Sequence, residues 1–169
     1  FTKMGRGPEL SGQLAKLASF PQPEKLFVYG NHDRAGETGW PWPPELVRMQ
    51  NSGWTTTDGL KLWGTPYCPE FNGWAFSYPR YSEKAEGIFS MIPEGLDILV
   101  THVPPHRILD LGFEGYNIGC EVLRYRLSQM KQPPRIHAFG HCHDQGGEQY
   151  FDGKTLFINA ATVPVTVEL

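Results

Sequence analysis

Residues 25–33 read Lys25-Leu26-Phe27-Val28-Tyr29-Gly30-Asn31-His32-Asp33, a short apolar run that passes straight into a polar tetrad. Aliphatic and aromatic residues suit a pleated, half-buried surface, so Lys25 to Tyr29 reads as a strand ending at Gly30. The same arrangement returns twice. Leu96 to Thr101 is apolar apart from Asp97 and gives way to His102-Val103-Pro104-Pro105; Ile136 to Phe139 gives way to Gly140-His141-Cys142-His143. Leu96 to Thr101 reads as a strand buried on both faces. Loops at the carboxyl ends of buried strands are where α/β proteins place their ligands. Five of the six histidines lie in or beside these three loops, a concentration that packing alone does not explain.

The flanking segments fill in the architecture. Leu10, Leu14, Leu17 and Ala18 recur at helical spacing, which predicts a helix over Pro8 to Phe20 with Pro21 and Pro23 beyond its end. Pro43 to Gln50 is expected to be helical. Between Gly53 and Tyr78, short runs including Trp54 to Thr57, Leu60 to Trp63 and Trp74 to Ser77 are separated by Asp58-Gly59, Gly64 and Asn72-Gly73. Asp-Gly and Asn-Gly favour hairpin turns, so antiparallel sheet is expected there. Tyr81 to Met91 and Cys120 to Met130 read as helices. Gln149 to Phe151 and Thr155 to Ile158 flank Asp152-Gly153 as a hairpin, and Val163 to Val167 reads as a last strand. Helices and strands alternate, with hairpins inserted. This predicts an α/β (α+β) chain with two sheets face to face and helices outside. Connections are short, so residues 1–169 read as one domain.

Composition narrows the class. The chain has 169 residues, 40% hydrophobic and 20% charged, with a net charge of -3. This suits a folded core and argues against general binding of nucleic-acid backbones, which takes clustered Lys and Arg. The apolar runs are too short to span a bilayer. No secretory signal opens the chain, although it starts at Phe1 rather than Met. Cys68, Cys120 and Cys142 lack the spacing of a disulfide framework, which points to reduced thiols and a cytoplasmic compartment.

The residue types in the three loops suit cation chemistry. Imidazole and amide oxygen are ligands for Zn, Mn or Fe. In an extended loop, residues two apart point the same way, so His141 and His143 can share a site while Cys142 turns away, with Gly140 supplying a sharp turn. Asn31 can ligate without adding charge, and His32 beside it can act on phosphate. Asp33 can cap the helix that follows. His106 is read as solvent-exposed or as a support behind the site, and His137 as a core histidine. Trp40 and Trp42 either wall the pocket or cover a loop.

Together, Gly30-Asn31-His32-Asp33, His102 and Gly140-His141-Cys142-His143 resemble the calcineurin-like metallophosphoesterase family. Residues 101–105, Gly119-Cys120 and Phe157-Ile158-Asn159-Ala160 are most similar to its small metallophosphoesterase-domain proteins. The resemblance implies a double β-sandwich flanked by helices. It implies two divalent metal ions (Mn, Fe or Zn), one held by Asn31, His102 and His141, the other partly by His143. It also implies hydrolysis of a small phosphate monoester or diester, a nucleotide among the candidates. A metal-bridging hydroxide would attack phosphorus, His32 would protonate or stabilise the leaving oxygen, and Asp33 would orient His32.

The chain departs from the family pattern in one respect. The family also uses an upstream D-x-H pair and a Gly-Asp whose carboxylate bridges both metals. The only Asp residues before His102 are Asp33, Asp58 and Asp97, none in that context. Phe1-Thr2 resembles what commonly follows that Gly-Asp, so the first strands are expected to be absent. A first metal left with His143 alone would bind poorly, since such sites need about three protein ligands. The alternative to an enzyme is therefore a non-catalytic binding module that keeps the fold and an incomplete metal site.

Overall fold

The computed structural model describes residues 3, 5–112 and 115–168; the Phe1-Thr2 junction lies outside them. The chain is a mixed α/β protein built on a central six-stranded sheet. Its first helix, α1 (Gly7–Ala18), has proline in its first turn and turns Leu10 and Leu14 fully inward. Burying a leucine stabilises by about 1.5–3 kcal/mol, so this face fixes the helix. It packs in one cluster with Phe27, Tyr29, Leu46 and Phe76.

Strand β1 (Lys25–Phe27) leads through Gly30–Asp33 into the short α2 (Arg34–Glu37). Pro43 to Gln50 is not a helix: Leu46–Arg48 forms β2, parallel to β1 with Leu26 opposite Val47. Two prolines leave too short a run for helix nucleation, and branched Val47 suits the strand.

The central sheet contains β3 (Ser52–Thr55), β4 (Lys61–Thr65), β7 (Ile98–Thr101), β8 (Ile136–Phe139), β10 (Leu156–Asn159) and β9 (Gln149–Phe151), in that spatial order. The hairpins β3–β4 and β9–β10 are antiparallel, and β4, β7, β8 and β10 run parallel. Gly59 at φ 92 and Gly153 at φ 96 provide the turns that the Asp-Gly pairs predicted. Residues 68–78 depart from the expected antiparallel pattern. Strand β5 (Cys68–Pro69) pairs parallel with β6 (Ser77–Tyr78), while Trp74 stands in the loop between them. Phe76 at φ 52 breaks the extended run predicted over Trp74 to Ser77.

Helices α3 (Glu83–Ser90) and α4 (Glu121–Gln129) pack on one face of the sheet. Ser82 caps α3 by accepting from the Ala85 amide, and the Cys120 sulfur caps α4 by accepting from Leu123. Their buried Phe89, Leu123 and Leu127 join Leu99, Phe139 and Phe157 of the sheet in one core. On the opposite face, a Cβ on Gly64 of β4 would strike Met49 and Val28, so the β1–β2 layer rests there against bare backbone. The layers therefore run α1, β1–β2, central sheet, α3–α4. The burial expected on both faces of Leu96 to Thr101 is one-sided: Leu99 and Thr101 are buried, whereas Ile98 and Val100 are only half-buried. No strand forms over Val163 to Val167. Thr162 at φ 63 diverts the chain, and both edges of β10 are already taken by β8 and β9. Among the described residues, no helix is long and apolar enough to cross a membrane.

Candidate metal and phosphate site

Thr65, Thr101, Phe139 and Asn159 end their strands at one level, each opposite its neighbour across the parallel sheet. The residues that follow must therefore emerge on one edge. The His102 amide donates to the Thr65 carbonyl (3.0 Å), and the Gly140 amide donates to the His102 carbonyl (3.1 Å). This sews the two histidine loops together. The first loop arrives from the β1–β2 layer, where the Ala75 amide donates to the Asn31 carbonyl at 2.9 Å.

Three side chains from loops far apart in sequence converge. The Asn31 Oδ1 lies 2.9 Å from His102 Nε2, and His141 Nδ1 lies 3.1 Å from the same nitrogen. His102 and His141 meet edge to face with ring centres 4.8 Å apart. One proton on His102 Nε2 can serve the amide oxygen or the second imidazole; a proton on His141 Nδ1 instead leaves the amide oxygen facing a lone pair. Either tautomer leaves one acceptor unmatched. A cation among the three atoms would satisfy them all, so this donor set fits a divalent metal ion.

Electrostatics point the same way. Burial holds the His102 imidazole well below its ordinary range, and nearby His141, His32 and His143 push it further. Burial, with His143, His32 and Arg80, lowers His141 to about 4. Both rings are thus neutral at pH 7, the form that ligates metal. His143 lines the same cleft but is exposed. Among the described residues, no group of three or more His, Cys, Asp and Glu is placed to hold a metal; the trio above counts only because Asn31 supplies an oxygen.

The supporting geometry is specific. A Cβ on Gly30 would lie 2.6 Å from His102 Cε1 and 2.7 Å from Nδ1, so Gly30 is needed for room. Gly140 was expected to make the sharp turn, but it has open space around it and no positive φ. His141 makes the turn itself, at φ 67. A non-glycine residue there costs of order 1–3 kcal/mol, a strain that clusters at functional sites. Fully buried Asn159 donates to the Cys142 carbonyl (2.8 Å) and the Leu109 carbonyl (3.1 Å), pinning the His141–His143 loop.

His32 is half-buried, with Nδ1 2.9 Å from the Lys3 carbonyl. A carbonyl only accepts, so Nδ1 carries the proton. Buried Asp33 accepts from the Gly30 amide at 2.8 Å, which closes the loop bearing Asn31 and His32, and it makes no side-chain cap for α2. His106 lies 3.5 Å from Asp110 and 4.0 Å from Glu121 rather than among the cleft-lining side chains. His137 is a core histidine, as expected. Trp40 is packed on Gly7 and donates to Ser11, and Trp42 lies under Arg48, so both are loop covers.

The aromatic wall of the site is elsewhere. The cleft, about 970 Å³, is lined by Phe71, Trp74 and Tyr116 together with Arg80. Arg80 donates to the Gly119 and Ile118 carbonyls and pairs with Glu121 at 2.7 Å. None of these was singled out from the sequence. The one signal for Trp74 was Asn72-Gly73 immediately before it, a turn that lifts the ring clear of the sheet.

No family model matches the chain. Human and mouse proteins called Metallophosphoesterase domain-containing protein 1 are each 31% identical to it over 196 residues, covering 99% of the chain and 59% of the relative. A UPF0046 protein of Caenorhabditis elegans is 31% identical over 179 residues, covering 95% of the chain and 59% of its own length. A protein of Emericella nidulans called Probable rhamnogalacturonate lyase C is 33% identical over 163 residues, but these cover only 15% of that protein. The chain thus spans less than two thirds of the length of each of these relatives. A solved structure superposes on 92% of the chain and 63% of its own with a TM-score of 0.66 at 16% identity, which makes the architecture one already seen in nature.

Proposed function

The chain belongs to a metallophosphoesterase-like family, and from that premise we propose that it is a metal-dependent phosphoesterase acting on phosphate mono- or diesters. The observation that carries this reading is the meeting of Asn31, His102 and His141 at 2.9 and 3.1 Å. Two lone-pair nitrogens and an amide oxygen would hold one divalent ion, and His143 would contribute to a second. Ions of this kind activate water and neutralise charge developing on phosphoryl oxygens. The layer order α1, β1–β2, central sheet, α3–α4 is what the calcineurin-like double β-sandwich would present, and three buried, unpaired cysteines suit a reducing cytoplasm.

The remaining steps fall to the chain's own residues. The substrate lies in the cleft with its phosphate toward His102 and His141. His32, fixed through Nδ1 by the Lys3 carbonyl, donates from Nε2 in its doubly protonated form a hydrogen bond or proton to the leaving oxygen. Asp33 keeps the His32 loop closed through Gly30. Positioned proton donors of this kind contribute about 10²–10⁴-fold in rate.

The test is turnover of p-nitrophenyl phosphate and bis-p-nitrophenyl phosphate with added manganese. Metal-dependent hydrolysis is expected; none across a broad phosphoester panel would overturn the reading. A second reading, a binding module with one metal and no turnover, is favoured by the absence of a second full ligand set among the described residues. Metal counting by elemental analysis separates the two. Two ions per chain support the enzyme, and one ion without turnover supports the module.

A further inference from the structure

The structure holds the His32 ring from a second side, and nothing in the metal chemistry requires it. Trp74 lies against His32 with ring centres 4.1 Å apart and planes 35° from parallel. Trp74 is itself held. The Arg34 guanidinium sits 5.1 Å from the centre of its ring, and Arg34 donates to the Gly73 carbonyl at 3.0 Å. The turn before it has Asn72 at φ 51 and Gly73 at φ 60, a left-handed pair that few other residues adopt without cost. The next residue, Ala75, bonds to the Asn31 carbonyl. Arg34 follows directly on the tetrad that carries His32, so the loop bearing Trp74 and the loop bearing His32 are locked to each other at both ends.

We infer that Trp74, clamped by Arg34, is a positioning residue that holds the His32 imidazole in line with the leaving-group oxygen; this rests on the phosphoesterase reading above. The Lys3 carbonyl fixes one edge of the ring. The indole face lies against the ring from another side and limits its tilt about that bond. Orientation matters for proton donation, where a displacement of about 1 Å can cost 10²-fold. Removing the indole should therefore harm only the step that needs a proton at the leaving oxygen. Phenolate is a poor leaving group that needs the proton, whereas p-nitrophenolate is a good one that leaves largely without it.

The experiment compares kcat and KM of the wild type, Trp74→Ala, Trp74→Phe and Arg34→Ala on phenyl phosphate and p-nitrophenyl phosphate, with manganese. Trp74→Ala should lower kcat on phenyl phosphate by about 10- to 100-fold, part of the contribution of a positioned acid, and change kcat on p-nitrophenyl phosphate by less than about threefold on the same reasoning. Because Trp74 also lines the cleft, any rise in KM should be similar for the two esters. Trp74→Phe should restore most of the loss, and Arg34→Ala should show a weaker form of the same selectivity. Trp74 is only half-buried in a loop, and an unchanged melting temperature would show that the fold survives. Equal losses on both esters, or a change in KM alone, would overturn the inference and leave the phosphoesterase reading standing. No turnover of either ester by the wild type would instead remove the reading on which the inference rests.

Discussion

Gly30 has no side chain to spare, because the His102 ring fills the space a methyl group would take, with Cε1 at 2.6 Å. Gly30→Ala should push that ring away from Asn31 and His141, lowering activity by about 10²-fold or more while circular dichroism stays native. Full activity in this variant would show that the His102 placement is immaterial. His32→Ala makes the complementary prediction: a loss of about 10²–10⁴-fold in rate on phenyl phosphate, whose leaving oxygen needs the proton, with the bound metal count unchanged. His137 offers a test in the core. Thr101 donates to the Val103 carbonyl at 2.6 Å and so accepts from His137 Nε2 at 2.9 Å, while the buried Nδ1 meets no hydrogen-bond partner among the described residues. Burial lowers this imidazole to about 3, against about 6.5 in an unfolded chain. Between those values the unfolded state binds a proton that the folded state does not, so stability falls as pH falls through this window. The contribution is about 1.4 kcal/mol per pH unit. Urea unfolding of His137→Gln between pH 6.5 and 4.5 should show a slope shallower by about that amount; equal slopes would contradict it.

The elements divide into those whose cause is local and those whose cause is tertiary. Helix α1 follows from the spacing of Leu10 and Leu14, and α3 from Ser82 ahead of its apolar face. Ser82→Ala should cost about 1 kcal/mol by removing the cap, read as a lower denaturation midpoint. Strands β7, β8 and β10 were legible as apolar runs, and the loops after two of them as histidine clusters. Strand β2 was not legible, because Leu46–Arg48 becomes a strand only by pairing with β1. Trp74 was misread as strand for a related reason: its place is decided by Arg34, 40 positions away in the chain, and no local periodicity records that contact. Buried Asp110 is a similar case. It accepts from the Arg107 and Gly119 amides and from Asn117, and so shapes the loop after His102. Its partners are spread over residues 107–119, where the sequence offers no regular pattern.

At the level of the whole molecule, site and stability are coupled through the metal. An ion that binds only the folded chain stabilises it by about 2.7 kcal/mol at 100 times its dissociation constant. Manganese should thus raise the melting temperature of the wild type and leave that of His102→Ala unmoved; equal shifts in both would mean the ion binds elsewhere. The sequence, through its family resemblance, implied Asn31, His102 and His141 as one ligand set; each follows a strand, and the parallel sheet brings two of those strand ends to one level while the β1–β2 layer delivers the third. What it did not convey is the wall of the cleft, which depends on how that layer seats against the sheet. The decisive experiment is pulsed electron paramagnetic resonance of manganese bound to the full chain. Nitrogen couplings from two imidazoles are predicted, with one lost in His102→Ala and one in His141→Ala. Bound manganese without nitrogen couplings, or with couplings untouched by both substitutions, would show that these three loops do not share a cation.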